Sequence, residues 1–502
     1  MNMATRNSNS AASAHHIPAT DAMNVPLHLY SIEDDHDAVA HQQLRALASL
    51  GEVNHPVIAL PDLHAKSRNI SPTGVAVGSD HHLIPAVLDK GIGCGMRMML
   101  TDLHVDDLSA ASMDQLFEEL KQGIPAKRQP HPIVSKDEFN QLLIQGGRWA
   151  ATRFNIPAQE LDHIERQGNG FNDEPELQDM VTDLLGTMIP DEAMDKGRKS
   201  LGTLGGGNHF LEMQVVEDVL DENLASLLGI RPGQIAFMIH TGSQAFGSRV
   251  MRYYTQHFAS SAQGKRQKHL LRKFSFHGRG LTVSNRQDRL HYFRHPFFAI
   301  RADSDEGKRL RFALRAAEHV GMANRMIIGH HLRRQLSRVF GVSNQSTKLL
   351  FDSIHVSIQW EQVNGKNIWV HRHGASRALP PSGMASHPVF AKTGQPLFFP
   401  GGLGSNSYLG VTTERVAQTL YSIHHGAGRV VDKPQAKKLF DESAVSESLN
   451  ARQVRLYRYG ISHLAEQAPQ SFKNIDSVMA AAASFGLCRN VARMRPVAVL
   501  KG

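Results

Sequence analysis

The sequence is poor in cysteine, in long apolar runs and in acidic residues relative to basic ones. Cys94 and Cys488 are the only cysteines among 502 residues, too few for a disulfide framework. No apolar run approaches the roughly 18 residues that a membrane span requires. The first residues, MNMATRNSNSAASAHH, lack the apolar core of a secretory signal. These absences predict a soluble protein of the cytoplasm.

Basic residues and histidine are abundant instead. Lys and Arg number 55 against 47 for Asp and Glu, and the pI of the sequence is about 9.4. This excess favours partners that carry phosphate, either RNA or nucleotides. The 29 histidines supply the commonest metal-ligand side chain, although many of them are expected to be ordinary surface residues.

Apolar periodicity predicts helices and strands in mixed order. Helical spacing indicates helices at 37–50, 112–121, 174–188 and 308–340. Short apolar runs indicate strands at 57–60, 235–240, 349–361 and 491–501, with a hairpin turn at Asn364-Gly365. Because no regular βαβ alternation is present, we expect an α+β fold, a single large mixed domain whose β-sheets are flanked by helices.

The predicted domain spans residues 25–502 and follows a disordered N-terminal extension at residues 1–24, which is rich in Ser, Ala, Asn and Thr. Residues 245–345 form a basic helical subregion within it. Such a subregion is either an RNA-binding surface or, more commonly, a solvated basic face.

Four potential metal ligands stand at strand ends or in glycine-rich turns. They are Cys94, His209, His240 and His355. The glycines on both sides of Cys94 allow the backbone to turn sharply there. A lone histidine or cysteine in such a place is more often a structural residue, so spacing alone assigns none of the four. Several such ligands held by rigid backbone are what a dinuclear metal site requires.

Seven segments form an ordered set across the chain. They are LPDLH (60–64), GIGCGMR (91–97), LGTLGGGNHFLE (201–212), HTGS (240–243), VHRHGASRA (370–378), HHGAGR (424–429) and VARMRPVAVLKG (491–502). This set resembles the RtcB family of RNA-splicing ligases, in the family's order. The resemblance implies an RtcB-like fold and a GTP- and manganese-dependent ligase. Such an enzyme joins an RNA 3′-phosphate or 2′,3′-cyclic phosphate end to a 5′-hydroxyl end, in RNA repair or tRNA splicing.

The resemblance also implies roles for individual residues. Two Mn²⁺ ions would share the Cys94 thiolate, and His209, His240 and His355 would complete their ligands. His425 would be the nucleophile that accepts GMP from GTP, oriented by the carboxylate of Asp62. The remaining nucleotide-binding residues would be Asn208, Glu212, Gly426, Arg429 and Lys501, and the residues that bind triphosphate or RNA phosphates would be Arg372 and Arg377. An accessory activating protein stays open as a further partner.

The chain departs from the family pattern around the metal site. Gly91 stands where the family has a metal-binding aspartate, so Asp89 is the expected substitute ligand. Without a carboxylate, one of the two ions would be held weakly. Further departures are Gln244 for arginine, Val356 for asparagine, His373 for lysine, Phe472 for tyrosine, and Val430-Val431-Asp432-Lys433 for basic and polar residues. They predict a diverged member of the family.

Three functions stay open on the sequence. An active GTP-dependent RNA ligase is the leading hypothesis, because the nucleophile, most metal ligands and the guanine-binding residues are present. The second is a related enzyme that caps 3′-phosphate ends with GMP and seals them poorly. The third is an RNA-binding pseudoenzyme that keeps the fold and its basic face.

Overall fold

The computed structural model of the chain describes residues 14–31, 37–66, 70–179, 188–260, 297–460 and 463–502. Its strands are β1 His15–Ile17, β2 Leu27–Leu29, β3 Val57–His64, β4 Thr73–Ser79, β5 His82–Leu83, β6 Gly95–His104, β7 Phe210–Val219, β8 Gln234–Thr241, β9 Ile300–Arg301, β10 Thr347–Ile354, β11 Val356–Val363, β12 Lys366–His373, β13 Ala375–Arg377, β14 Pro396–Pro400, β15 Ser407–Thr412, β16 Ser422–His424, β17 Arg455–Arg458 and β18 Cys488–Lys501. Strands and helices alternate irregularly, which confirms the predicted α+β class.

The helices of the same residues flank these strands. They are α1 Ala38–Ala48, α2 Ala110–Gly123, α3 Lys136–Gln145, α4 Gly147–Arg153, α5 Pro175–Asp179, α6 Asp191–Ser200, α7 Glu222–Leu228, α8 Ala245–Ser260, α9 Asp305–Phe340, α10 Phe390–Thr393, α11 Lys433–Leu439, α12 Glu442–Ala451 and α13 Ile475–Ser484. Within the described ranges, no helix combines the length and the apolar character needed to cross a bilayer.

A six-stranded sheet forms one side of the candidate site. Its strand order is β1-β2-β3-β4-β12-β11, and β11 and β12 form the predicted hairpin. Asn364 and Gly365 at its turn have φ values of 50° and 78°, the two left-handed residues that a tight hairpin turn requires. Strand β3 continues to His64, past Pro61-Asp62 where the sequence predicted its end. The register shifts between Ala59 and His64, so Pro61 lies in an irregular stretch where a missing N–H is tolerated.

An eight-stranded sheet forms the other side. Its order is β10-β6-β8-β7-β18-β15-β14, and β17 pairs with β18. Five neighbouring strands have their chain ends at the same end of this sheet, where Ile354 pairs with Gly95, Gly95 with Thr241, His240 with Phe210, and Phe210 with Lys501. We call these five strand termini the ligand end of the sheet. The register therefore brings together chain segments that are far apart in sequence.

Helix α9 packs across β6 and β8 of the eight-stranded sheet. The Ser304 side chain caps its N-terminus, and Gly341 ends it with a φ of 68°. Most of its residues are buried on all faces, as expected for a helix in the middle of a large domain. Gly93, before Cys94, has a φ of 72°, and a Cβ there would lie 2.6 Å from the Ala317 carbonyl oxygen of α9. Only glycine therefore lets the Cys94 turn approach the helix this closely.

Some sequence predictions differ from the structure or fall outside it. The predicted disordered extension is wrong near its end, because His15–Ile17 pairs with Leu27–Leu29 and Met23 is buried; residues 1–13 lie outside the described residues. The helix predicted at 174–188 is seen as α5, and residues 180–187 lie outside the described ranges. In the basic helical subregion at 245–345, α8 and α9 are helical as predicted, and residues 261–296 are not among those described.

Candidate metal and nucleotide site

Four potential metal ligands meet at the ligand end of the eight-stranded sheet. The Cys94 Sγ atom lies 3.4 Å from Nε2 of His209 and 3.4 Å from Nε2 of His240. The Nε2 atoms of His240 and His355 are 3.3 Å apart. The donor atoms of Cys94, His240 and His355 all lie within 4.8 Å of one another. Thus the structure brings together all four residues that the sequence selected.

The spacing of these donor atoms fits a metal ion. Bonds of about 2.0–2.3 Å to Cys or His donors place tetrahedral donors about 3.3–3.8 Å apart. The separations of Cys94 from His209 and His240, and of His240 from His355, lie in this range. The other nitrogen of the His209 ring, Nδ1, lies 3.3 Å from the side-chain amide nitrogen of Gln244. This contact holds the ring with Nε2 toward Cys94, as in protein metal sites where the second ring nitrogen is held.

Burial favours the metal-binding, unprotonated form of the three imidazoles and disfavours the metal-binding thiolate form of Cys94. Burial lowers the pKa of His209 to about 4 and the pKa values of His240 and His355 well below their usual value. All three rings are therefore neutral near pH 7, which is the form that binds metals. Burial raises the pKa of the Cys94 thiol to about 11, so a bound cation must displace its proton.

His425 lies beside this cluster and is held by a buried carboxylate. Its ring centroid is 4.8 Å from that of His355, and its Nδ1 lies 2.7 Å from Oδ2 of the fully buried Asp62. Burial alone would raise the pKa of Asp62, but the hydrogen bond and charge of His425 outweigh it and lower that pKa. An ionised carboxylate only accepts hydrogen bonds, so Nδ1 carries a proton, and in the neutral ring the lone pair is on Nε2.

A cavity of about 630 Å³ opens next to the cluster, a size typical of small-molecule sites. Its lining includes the predicted nucleotide-binding residues Asn208, Glu212, His425, Gly426, Arg429 and Lys501. Phe472 stacks under Arg429, with the guanidinium carbon 4.5 Å from the ring centroid. Arg429 donates to the carbonyls of Val431 and Glu466, and its Nη1 has no hydrogen-bond partner among the described residues. The cavity therefore brings these six residues together, and their role in nucleotide binding stays a prediction.

Glu212 and Lys501 are two buried ionisable side chains that line the cavity. Val499 pairs with Glu212, and Lys501 with Phe210, across β18 and β7. Burial raises the pKa of Glu212 to about 7, against the lowering effect of the Gln214 amide, which donates to Oε1 at 2.6 Å. Burial also lowers the pKa of Lys501 to about 7. Both side chains can therefore change charge near neutral pH.

Asp89 lines the cavity but does not join the metal-ligand cluster. Its Oδ2 lies 4.0 Å from the Lys66 ammonium, and within the described part of the chain only Cys94, His240 and His355 form a compact ligand group. The role of Asp89 as a substitute ligand therefore stays a prediction. At Gly91 an added Cβ would meet only the Val356 and Cys94 side chains, at 3.8 and 3.9 Å, so the position could accept a side chain.

Arg372 and Arg377, predicted to bind phosphate, do not line this cavity. Arg372 is fully buried and donates to Glu361 at 2.9 Å and to the Ser422 hydroxyl at 2.8 Å. Arg377 makes two hydrogen bonds of 2.8 Å to the same carboxylate. Burial would raise the pKa of Glu361, but Arg377 and Arg372 outweigh it and lower the pKa to about 2. Both guanidinium groups are thus occupied by a buried carboxylate of the β11–β12 hairpin.

The structure adds a cation that sequence reasoning missed. Lys66 lines the cavity, and its Nζ lies 3.3 Å from Nε2 of His373, the residue found in place of the family's lysine. The Pro72 carbonyl accepts from Nδ1 of the same ring, so Nε2 is the nitrogen that accepts from Lys66. Its position two residues after the LPDLH segment, which carries Asp62, could have indicated Lys66 from the sequence.

Taken together, the fold and this site define an α+β enzyme in which a metal-type cluster adjoins a carboxylate-held histidine and a cavity with several basic residues. A family model described as tRNA-splicing ligase RtcB matches residues 43–502. The chain therefore belongs to the RtcB family of ligases, and it is an enzyme.

Similar proteins described as tRNA-splicing ligase RtcB occur in several archaea. The Methanococcus maripaludis protein is 28% identical over 500 residues, covering 96% of this chain and 96% of that protein. The Pyrobaculum aerophilum protein is 30% identical over 459 residues, covering 89% of this chain and 87% of that protein. The Methanopyrus kandleri protein is 31% identical over 91% of this chain, and the match spans 46% of its own length.

Proposed function

We propose that this protein is a GTP- and manganese-dependent RNA ligase of the cytoplasm, acting in tRNA splicing or RNA repair. It would join RNA 3′-phosphate or 2′,3′-cyclic phosphate ends to 5′-hydroxyl ends. One observation carries the proposal. His425 is fixed by Asp62 at 2.7 Å, directly beside the Cys94, His209, His240 and His355 cluster. That combination suits phosphoryl transfer to a nitrogen nucleophile.

The first step would be transfer of GMP to His425. The lone pair of Nε2 attacks the α-phosphorus of GTP, the bond to the β-phosphate oxygen breaks, and pyrophosphate leaves. Asp62 accepts the Nδ1 proton in a hydrogen bond and stabilises the charge that develops on the ring. Ions held by Cys94 and the three histidines would supply charge neutralisation at phosphoryl oxygens.

Two further transfers would complete the reaction. A 2′,3′-cyclic end is first opened by water, which breaks the bond to the 2′ oxygen and gives the 3′-phosphate. An oxygen of that 3′-phosphate displaces His425 from the GMP phosphorus, and the N–P bond breaks. The RNA 5′-hydroxyl then attacks the activated 3′-phosphate, its proton passes to solvent, and GMP leaves. Arg429 and Lys66, which line the cavity, are the groups we assign to phosphate binding, and Glu212 is assigned to the guanine base because a carboxylate can accept from two N–H groups.

Incubation with labelled GTP and Mn²⁺ tests the proposal. The wild-type protein should acquire one covalent GMP, and the His425→Ala protein should acquire none under the same conditions. Asn474 caps α13 and is not among the residues that line the cavity, and Asn474→Ser should label like wild type. No label on the metal-loaded wild type, or a label that survives His425→Ala, would reject the proposal.

A capping enzyme is a second candidate, favoured by one observation. Arg372 and Arg377 are hydrogen-bonded to Glu361. The two positive charges predicted to bind RNA phosphates are therefore paired with a carboxylate of the protein itself. A ligation assay with a 3′-phosphate strand and a 5′-hydroxyl strand separates the two functions. A ligase gives the joined strand, whereas a capping enzyme stops at the 3′-end that carries GMP. An RNA-binding pseudoenzyme would give neither product.

A further inference from the structure

Two adjacent residues of α9 contact the backbone segments that carry the metal ligands without being ligands themselves. Arg325 is fully buried in the middle of the helix. Its Nη1 donates to the carbonyls of Gly93 and Thr241, each at 3.0 Å. Its Nε and Nη2 donate to Oδ1 of Asp352, at 2.9 and 2.7 Å. One guanidinium therefore joins strands β8 and β10 and the turn that precedes β6.

Each of these acceptors is close in sequence to a metal ligand. Gly93 precedes Cys94, Thr241 follows His240, and Asp352 lies three residues before His355. The backbone N–H of His355 also donates to the Cys94 carbonyl at 2.9 Å. A shift of the Arg325 side chain would therefore move all three ligands relative to one another.

Asn324 makes similar contacts to the backbone segment that leads to the fourth ligand, His209. Its Oδ1 accepts from the Gly202 N–H at 2.7 Å. Its Nδ2 lies 2.9 Å from the Thr203 carbonyl and 3.2 Å from the Gly242 carbonyl. Residues 202–203 begin the glycine-rich turn that leads to His209, and Gly242 lies two residues after His240. Asn324 is 1% exposed, so water does not compete for these bonds.

We propose that Asn324 and Arg325 are positioning residues that hold Cys94, His209, His240 and His355 at metal-binding separations, and that they set the affinity of the site for its ion. This inference rests on the proposed function, because it takes the cluster to be the metal site. The two residues together form what we call the α9 clamp.

The geometry of the α9 clamp makes it hard to replace. A lysine has one nitrogen and cannot reach two carbonyls and a carboxylate from a planar fork. Asp352 cannot turn to follow a shorter side chain, because its Oδ2 is held by the fully buried Arg97 at 3.2 Å. Residues that orient metal ligands from the second layer typically change metal affinity by about 10–100-fold when they are mutated.

Metal titration of purified variants tests the inference. Arg325→Lys keeps the charge and loses the fork, and Asn324→Asp keeps the shape and replaces the donor with an acceptor that faces two carbonyls. The matched control is Arg311→Lys. Arg311 is another buried arginine of α9 and is bonded to Glu174, Glu176 and the Ala302 carbonyl, none of which belongs to a ligand segment. Mn²⁺ affinity is measured by calorimetry, and Co²⁺ absorption reports the ligand geometry.

Each clamp variant should bind Mn²⁺ about 10–100-fold more weakly than wild type and should give an altered Co²⁺ spectrum. Arg311→Lys should lose thermal stability and keep both the affinity and the spectrum. Wild-type affinity in folded Arg325→Lys and Asn324→Asp overturns the inference. If Arg325→Lys does not fold, Asn324→Asp decides alone, since it changes one functional group.

The same titration separates failure of this inference from failure of the proposed function. A wild-type protein that binds Co²⁺ but not Mn²⁺ contradicts the manganese dependence and still tests the clamp through its Co²⁺ affinity. A wild-type protein that binds neither ion overturns the clamp. Clamp variants that bind Mn²⁺ like wild type, in a protein that becomes labelled with GMP, overturn the clamp alone.

Discussion

The ligand end of the eight-stranded sheet and the β12–β13 region differ in where their polar side chains point. Both carry motifs of the same family resemblance, and both were assigned functional residues from the sequence. At the ligand end, the Cys94 Sγ atom lies 3.4 Å from Nε2 of both His209 and His240. In the β12–β13 region Arg372 and Arg377 turn to Glu361 and away from the cavity.

The difference lies in what positions each side chain. The ligands stand at the ends of hydrogen-bonded strands, where the register fixes the backbone. An arginine has a long side chain that binds whichever carboxylate lies within reach, and Glu361 comes from the neighbouring strand of the same hairpin. A buried charge without a partner is costly, so the ion pair decides the direction of both guanidinium groups.

The largest effect is expected beside the ligand end, at the carboxylate that holds the nucleophile. Asp62→Asn should slow GMP transfer to His425 by about 10²–10⁴-fold. The new amide donates to Nδ1 and forces the proton onto Nε2, which removes the attacking lone pair. Single-turnover labelling at saturating GTP and Mn²⁺ measures this rate. An unchanged rate in a folded protein would show that Asp62 does not orient the ring.

In the β12–β13 region the corresponding change should affect stability and not binding. Arg372→Met should lower the free energy of unfolding by about 3–5 kcal/mol, the usual effect of removing one partner from a buried ion pair. The GTP dissociation constant should stay at the wild-type value, because Arg372 does not line the cavity. Denaturant unfolding and nucleotide titration measure the two quantities. Weaker GTP binding at wild-type stability would restore the predicted phosphate-binding role.

Metal binding should depend on pH through the thiol alone. Burial lowers the pKa of His209 to about 4 and the pKa values of His240 and His355 well below their usual value, so these rings carry no proton to release near pH 7. Burial raises the pKa of Cys94 to about 11, so metal binding at this single thiol should release one proton. Affinity should therefore rise by about tenfold per pH unit between pH 6 and 9. Calorimetry in buffers of different ionisation enthalpy counts the protons, and a count of zero would exclude thiolate ligation.

Lys66 contrasts with Arg372 and Arg377, because it is a basic residue that lines the cavity. Lys66→Ala should weaken GTP or RNA-phosphate binding by about tenfold, the loss of one charged hydrogen bond. Its side chain is 41% exposed, so the unfolding free energy should change little. Lys90→Ala is the matched control, since Lys90 is exposed and is not among the residues that line the cavity. Equal effects of the two variants would reject a specific role for Lys66.

The smallest change is expected from restoring a carboxylate at position 91. An added Cβ there meets only two side chains, at 3.8 and 3.9 Å, so Gly91→Asp should fold normally. It should tighten the weaker metal site by a few-fold to about tenfold, because a carboxylate helps to neutralise the ion. Elemental analysis at limiting Mn²⁺ measures the stoichiometry. If Asp89→Ala removes an ion from the wild-type protein, Asp89 already supplies the carboxylate and Gly91→Asp should add nothing.

Much of the architecture could be predicted from the sequence, because periodicity reports secondary structure directly. The hairpin at Asn364-Gly365 and the long helix ending at Phe340 are confirmed. The end of β3 was not predicted, because Pro61 normally stops a strand and here lies in an irregular stretch.

The site was predictable only in part. The four ligands could be selected by residue type and motif, whereas their approach depends on a strand order that pairs Gly95 with Thr241. The α9 clamp could not be found at all, because the sequence around Arg325 has no local pattern that indicates acceptors in β8, in β10 and in the turn before β6.

The most direct test of the proposed chemistry is to map the GMP linkage on the intact enzyme. Tandem mass spectrometry of protein labelled with GTP and Mn²⁺ should place one GMP on His425. ³¹P NMR should show a phosphoramidate at Nε2, since Nδ1 is held by Asp62. GMP attached to Lys66 or Lys501, or no GMP on metal-loaded protein, would contradict this account.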